Sequence, residues 1–226
     1  MKKAFTLIEL VLVIVVVGVL STMVSPNFQR NGLQEAANQL VSHIRYTQHL
    51  AMMDNKFDSN DANWFKGRWQ IKFFNNTGTD NQWAYTIYSD WVGAHTGNPD
   101  KIEIAKNPLD QSRYLTGGTS GAGLITYNDA KSTKELNIGI KYGIKDVDFS
   151  SGCRSTVKYI SFDSMGRPFN SFPASKPYEL ASAGWHKLLD TSCVIDLCLV
   201  DNCTSASSGD IISIEIKPET GYTHIL

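Results

Sequence analysis

The chain opens with an apolar run from Phe5 to Val24 that carries one carboxylate, Glu9, and no other feature limits the fold as strongly. About 20 helical residues, each rising roughly 1.5 Å, match a hydrocarbon core of about 30 Å. An ionised side chain inside such a span costs roughly 2.5 kcal/mol or more, so Glu9 calls for a partner. A secretory signal has an apolar core of about 7 to 15 residues followed by a small-residue cleavage site. Here the run is longer and the charge lies within it. A plain anchor accounts for the length but leaves Glu9 unexplained. Lys2 and Lys3 precede the run and hold the short leader on the cytoplasmic side, leaving everything after the span outside.

Ala4-Phe5-Thr6-Leu7-Ile8-Glu9-Leu10 resembles the processing and assembly signature of type IV prepilins and type II secretion pseudopilins. The resemblance implies a cut between Ala4 and Phe5 by a prepilin peptidase, with methylation of the new amino terminus. Ala4 stands where the family usually has Gly. Glu9 then takes the position of the acid that attracts the terminal amine of a neighbouring subunit, so that two charges neutralise each other where neither is hydrated. Three later strings narrow the resemblance to the H-type, FimT-like minor pseudopilins: Leu40–Asn55 (LVSHIRYTQHLAMMDN), Ile160–Pro168 (ISFDSMGRP) and Ile212–Tyr222 (ISIEIKPETGY). They resemble, in turn, the family's helix end, a strand with its Gly-Arg-Pro turn, and the final strand with its Thr-Gly turn.

The expected organisation is a leader at residues 1–4, a transmembrane and assembly helix at 5–25, an amphipathic periplasmic helix at 26–54 and a β-rich periplasmic domain at 55–226. Pro26 and Gly32 predict a bend between the helical stretches, because proline removes a backbone donor and glycine lowers helix stability by about 1 kcal/mol. Beyond them Leu33, Ala37, Leu40, Ile44 and Ala51 recur at helical spacing, widened by Val41, with Gln34, Asn38, Ser42, Arg45 and His49 elsewhere on the cylinder. With this helix, the resemblance implies an α+β fold class, a long N-terminal helix packed on a mainly antiparallel, pilin-like β-domain.

With 226 residues, of which 42% are hydrophobic, the chain buries a sizeable core in one globular domain beyond its membrane segment. Period-two patterning predicts a hairpin from Arg68–Phe74 and Trp83–Ser89, closed by Asn75–Gln82. Further strands are predicted at Lys101–Ile104, Leu136–Ile140, Val157–Phe162, Val194–Leu199 and Ile211–Ile216. Leu115–Gly123 (LTGGTSGAG) reads as a flexible loop, since it lacks the lysine and glycine spacing of a phosphate-binding loop. Asp54–Asn63 (DNKFDSNDAN) is rich in oxygen ligands yet lacks the glycine and terminal glutamate of a calcium-binding loop, so it reads as a solvated connection.

Cys153, Cys193, Cys198 and Cys203 all follow the membrane segment, where an even set points to disulfides. No CxxC pair of the kind found in zinc sites is present. Three pairings are open. If Cys193 and Cys198 share a strand, their odd spacing turns them to opposite faces, which favours Cys153 with Cys193 and Cys198 with Cys203.

The formal charge is −1, from 21 Lys and Arg against 22 Asp and Glu, and loss of Lys2 and Lys3 leaves 19 against 22, or −3. That balance argues against whole-domain binding of nucleic acid. Some FimT-like pilins of transformation systems capture DNA through arginines near the C-terminus, but Gly221–Leu226 contains neither Arg nor Lys. Arg154, Lys158, Arg167 and Lys187, with the aromatic Trp185 and Tyr222, are the remaining candidates for such a patch. His43, His49, His95, His186 and His224 form no ligand or nucleophile pattern, and no catalytic motif occurs. The expectation is a subunit with no cofactor and no enzymatic site. As the resemblance implies, its partners are the prepilin peptidase, other pilin subunits, an inner-membrane assembly platform and, before assembly, membrane lipid.

Overall fold

The computed structural model describes residues 6–24, 32–93, 95–121, 123–156, 158–170 and 188–226. The chain divides into two compact units, Met1–Asn31 and Gly32–Leu226. The expected cleavage junction at Ala4 and Phe5 and the expected bend at Pro26 lie outside the described residues, as do Trp185, His186 and Lys187.

Among its described residues the first unit forms one helix, α1 (Leu7–Val24), of 18 residues. Its leucine, isoleucine and valine side chains from Leu7 to Val19 are exposed, Leu7 at 81% and Ile8 at 75%. At about 1.5 Å per residue α1 measures roughly 27 Å, against a hydrocarbon core of about 30 Å. Among the described residues no helix is long and apolar enough to cross a membrane. Both ends of the predicted span, Phe5 and Ser25, lie outside them.

The second unit begins with α2 (Gly32–Met53), whose apolar face, Leu33, Ala36, Ala37, Leu40, Val41, Ile44 and Ala51, is buried. Beneath it lie two antiparallel four-stranded sheets. The first comprises β1 (Trp69–Phe74), β2 (Ala84–Ser89), β6 (Tyr159–Phe162) and β7 (Pro168–Phe169), in the order β2-β1-β6-β7. The second comprises β5 (Asp146–Ser151), β8 (Cys193–Cys198), β9 (Ile211–Ile216) and β10 (Thr223–Ile225), in the order β10-β9-β8-β5. A separate hairpin joins β3 (Lys106–Asn107) to β4 (Asp110–Tyr114).

Alternation explains how both sheets share one core. Ile71 and Phe73 of β1, Tyr85 and Ile87 of β2, and Ile160 and Phe162 of β6 meet Val147 and Phe149 of β5, Ile195 and Leu197 of β8, and Ile214 and Ile216 of β9 under the apolar face of α2. Side chains at every second position point to one face, so β-branched and aromatic residues fill that face. Leu40 and Ile44 are fully buried at this junction, where truncation to Ala typically costs about 2–5 kcal/mol.

Two predicted strands are not strands. Leu136–Ile140 instead ends a 3-10 turn (Lys134–Leu136) and enters the short helix α3 (Ile138–Tyr142). The Asn137 side chain accepts from the Ile140 N–H at 3.0 Å, and Gly143 ends the helix at φ 78°. Lys101–Ile104 is a turn in which only Ile104 bridges to Tyr88. Here the Glu103 carboxylate accepts from the N–H groups of Val92 (2.7 Å) and Asp100 (2.6 Å), folding the backbone around itself.

Leu115–Gly123 is also corrected, because its first half is packed. Leu115, Thr116, Gly117, Gly118 and Thr119 are buried. A Cβ at Gly78 would collide with the Thr119 backbone, and one at Gly117 with Leu136 and Asn137. These glycines serve close backbone approach rather than freedom. The predicted helix at 26–54 is seen from Gly32 to Met53.

Candidate assembly and processing site

The start of α1 is fixed by Thr6 and Glu9. The Thr6 backbone N–H and its hydroxyl each donate to Glu9 Oε2 at 2.9 Å, and the Glu9 N–H donates back to Thr6 Oγ1 at 3.4 Å. This is a reciprocal capping box, which satisfies backbone donors that have no partner inside the helix. A carboxylate in the first turn also faces the positive end of the helix dipole. Glu9 is exposed and has a local role as the partner of Thr6 at the helix start. The local signal for this cap is Thr-Leu-Ile-Glu, a Thr-x-x-Glu spacing.

In the second unit, the three strings that carried the H-type resemblance meet at one side chain on α2. Gln48 Nε2 donates to Gly166 O at 2.7 Å, in the turn between β6 and β7, and to Thr220 O at 2.8 Å, in the turn between β9 and β10. Both turns need glycine in the left-handed region, with φ 77° at Gly166 and 64° at Gly221, and a Cβ at Gly221 would press on Gln48 and Gly166 O. One turn earlier on α2, Arg45 Nη2 donates to Thr223 O at 2.6 Å and its guanidinium lies 5.8 Å from the Tyr222 ring centroid. Asp163 braces the first turn, accepting from the N–H groups of Met165 (3.0 Å) and Arg167 (2.8 Å) and from the Arg167 guanidinium at 2.8 Å. The end of α2 is thus fastened to both sheets.

The cysteines form two bridges, Cys153 with Cys193 and Cys198 with Cys203. Cys193 faces the core beside Ile195 and Leu197, while Cys198, an odd number of positions along β8, reaches the 3-10 turn Cys203–Ser205. The Cys203 N–H donates to Asp146 Oδ2 at 3.1 Å, which ties that turn to the start of β5.

The described members of the predicted basic patch are engaged elsewhere. Lys158 pairs with Asp148 at 2.7 Å, Arg167 with Asp163, and Arg154 Nε donates to Thr156 at 3.0 Å. Tyr222 stacks on His224, whose Nε2 lies 3.3 Å from Glu215. His95 bonds the Asp90 carbonyl at 2.5 Å, His49 is exposed, and His43 is held against Tyr85. In Asp54–Asn63 the carboxylates serve their own surroundings. Asp58 and Asp61 accept from Asn60 and Asn63 at 2.8 Å each, and Asp54 accepts from Trp69 Nε1 at 2.9 Å.

The first unit thus offers an exposed apolar helix with a capped acid in its first turn, and the second an α+β unit headed by an amphipathic helix. Residues 1–25 match the prokaryotic N-terminal methylation motif. No curated protein and no solved structure matches the chain. The motif makes the chain type IV pilin-like at its N-terminus, which implies processing by prepilin peptidase and assembly with other pilin subunits.

Proposed function

We propose that this chain is a minor pilin or pseudopilin of the H-type, FimT-like kind, a subunit of a type II secretion or type IV pilus-like filament. The observation that carries this reading is Glu9, the single carboxylate of an otherwise apolar exposed helix within the methylation motif. In this account the peptidase cuts between Ala4 and Phe5, and the helix holds the subunit in the inner membrane with its C-terminal domain in the periplasm. Glu9 then meets the amine of a neighbouring Phe5 as subunits pack side by side. An apolar all-round helix favours either lipid or like helices around it, and an acid–amine pair is stabilised in that setting.

The subunit works by assembly, not catalysis, and the resemblance assigns the mechanical work to a cytoplasmic ATPase. The DNA-capture reading draws little support from the second unit, because Lys158 and Arg167 are matched by Asp148 and Asp163. Glu9→Val tests the proposal in cells expressing the full system. Membrane insertion persists and incorporation into filaments is lost if Glu9 has the assigned role, whereas undiminished incorporation rejects it.

A further inference from the structure

The underside of α2 holds a chain of hydrogen bonds whose direction can be deduced. Gln39 Nε2 donates to Glu135 O at 2.9 Å. A carbonyl only accepts, so the atom facing it is the amide nitrogen. That nitrogen lies 2.7 Å from Tyr85 Oη, which therefore accepts its second hydrogen. Tyr142 Oη donates to the other end of the same amide, Gln39 Oε1, at 2.6 Å. Among the described residues the neighbour left to take the hydrogen of Tyr85 is His43 Nδ1, at 2.7 Å. The chain runs Tyr142 to Gln39 to Tyr85 to His43 and ends on an imidazole lone pair, which fixes His43 neutral with its proton on Nε2.

We propose that His43 is an acid-sensitive latch. While neutral, it joins α2 to Tyr85 and, through Gln39, to the segment from Glu135 to Tyr142. Once protonated, it releases them. Among the described residues, a proton on Nδ1 removes the one acceptor that faces the Tyr85 hydroxyl, in a side chain with 0% exposure. A buried donor without an acceptor is costly, so the chain breaks rather than persists. Ionisation of Tyr85 offers no escape, because burial pushes that phenol far up.

Among the described residues, the charged groups that act on the chain are Glu35 on α2 and Glu135 beside α3. Both act on the Tyr142 phenol, which burial pushes up first and these carboxylates further, and Glu135 acts on Tyr85 as well. His43 itself is pushed down from 6.5 to about 4 by burial. Its folded-state value lies below the unfolded one, so its contribution is present above about 6.5 and is lost as pH falls toward about 4.

The test uses the full-length protein in detergent micelles. Nitrogen NMR of histidine-labelled protein at neutral pH is expected to show His43 protonated on Nε2 alone. A proton on Nδ1, or a charged ring, overturns the deduction. Amide exchange across Lys134–Tyr142, corrected for the intrinsic pH dependence of exchange, is expected to rise on the order of tenfold or more between pH 7 and pH 4, the equivalent of one pKa unit. His43→Asn supplies a non-titrating acceptor and is expected to abolish that rise. An identical rise in this variant, or none in the parent, overturns the latch. Tyr85→Phe provides a second reading, with exchange already raised at pH 7 and a smaller response to acid. An unchanged response there equally contradicts the proposal.

Discussion

Gln48 Nε2 lies 2.7 Å from the Gly166 carbonyl, and the same nitrogen reaches Thr220 O at 2.8 Å. These contacts join residues 118 and 172 positions apart in the sequence. Gln48→Ala removes both donors at once. At about 0.5–1.5 kcal/mol per hydrogen bond, the expected loss is roughly 1–3 kcal/mol. A urea titration followed by tryptophan fluorescence measures it, and an unchanged midpoint would remove Gln48 from the account.

Gly221→Ala is expected to be at least as harmful. The substitution places a methyl group against Gln48 and Gly166 O at a residue with φ 64°. Left-handed backbone at a non-glycine residue costs roughly 1 kcal/mol or more before the clash is counted. Gly209→Ala is the control, since a Cβ there meets nothing within 4 Å. Equal stability of the two variants would contradict the close packing of this turn.

The two disulfides should differ in weight. Cys153 and Cys193 are 40 positions apart, while Cys198 and Cys203 are 5 apart. In the chain-entropy picture the longer loop contributes about 4 kcal/mol and the shorter about 2 kcal/mol. Removing each bridge by paired Cys→Ala substitution, with denaturation of the otherwise oxidised protein, tests the order. A larger loss from the short loop would show that the 3-10 turn near Asp146 depends on its bridge for more than entropy.

Thr6→Ala opens the capping box while leaving the apolar run intact. The expected cost to the helix start is about 1 kcal/mol, and Thr6→Ser restores most of it. Amide exchange at Thr6 and Glu9 in micelles reads the change directly, because both N–H groups take part in the box. Exchange indifferent to the hydroxyl would leave Glu9 without its local partner.

What the sequence made legible was whatever depends on near neighbours. The apolar stripe of α2, the hairpin of β1 and β2, and the strands β6, β8 and β9 follow from periodicity, and each appears within one or two residues of its predicted place where described. Leu136–Ile140 misled because its apolar residues alternate, although Ile140 is 45% exposed and the Asn137 cap and Gly143 stop decide for helix. The strand β5 went unrecognised because its outward positions are Asp146, Asp148 and Ser150. Gly117 reads as looseness because the backbone it admits, at Leu136 and Asn137, is not adjacent to it in the sequence. At the candidate site, charge in an apolar run singles out Glu9, and the Thr-x-x-Glu spacing carries its contact with Thr6. The Gln48 clamp and the Gln39–Tyr85–His43 chain leave no local trace, since neither partner's position along the sequence predicts the other's.

The central claim is pilin-type processing followed by assembly. Its most direct test is intact-mass and N-terminal peptide analysis of the native protein extracted from membranes of cells with an active prepilin peptidase. The account predicts a chain beginning at N-methylated Phe5. A chain that still begins at Met1 under those conditions would contradict it.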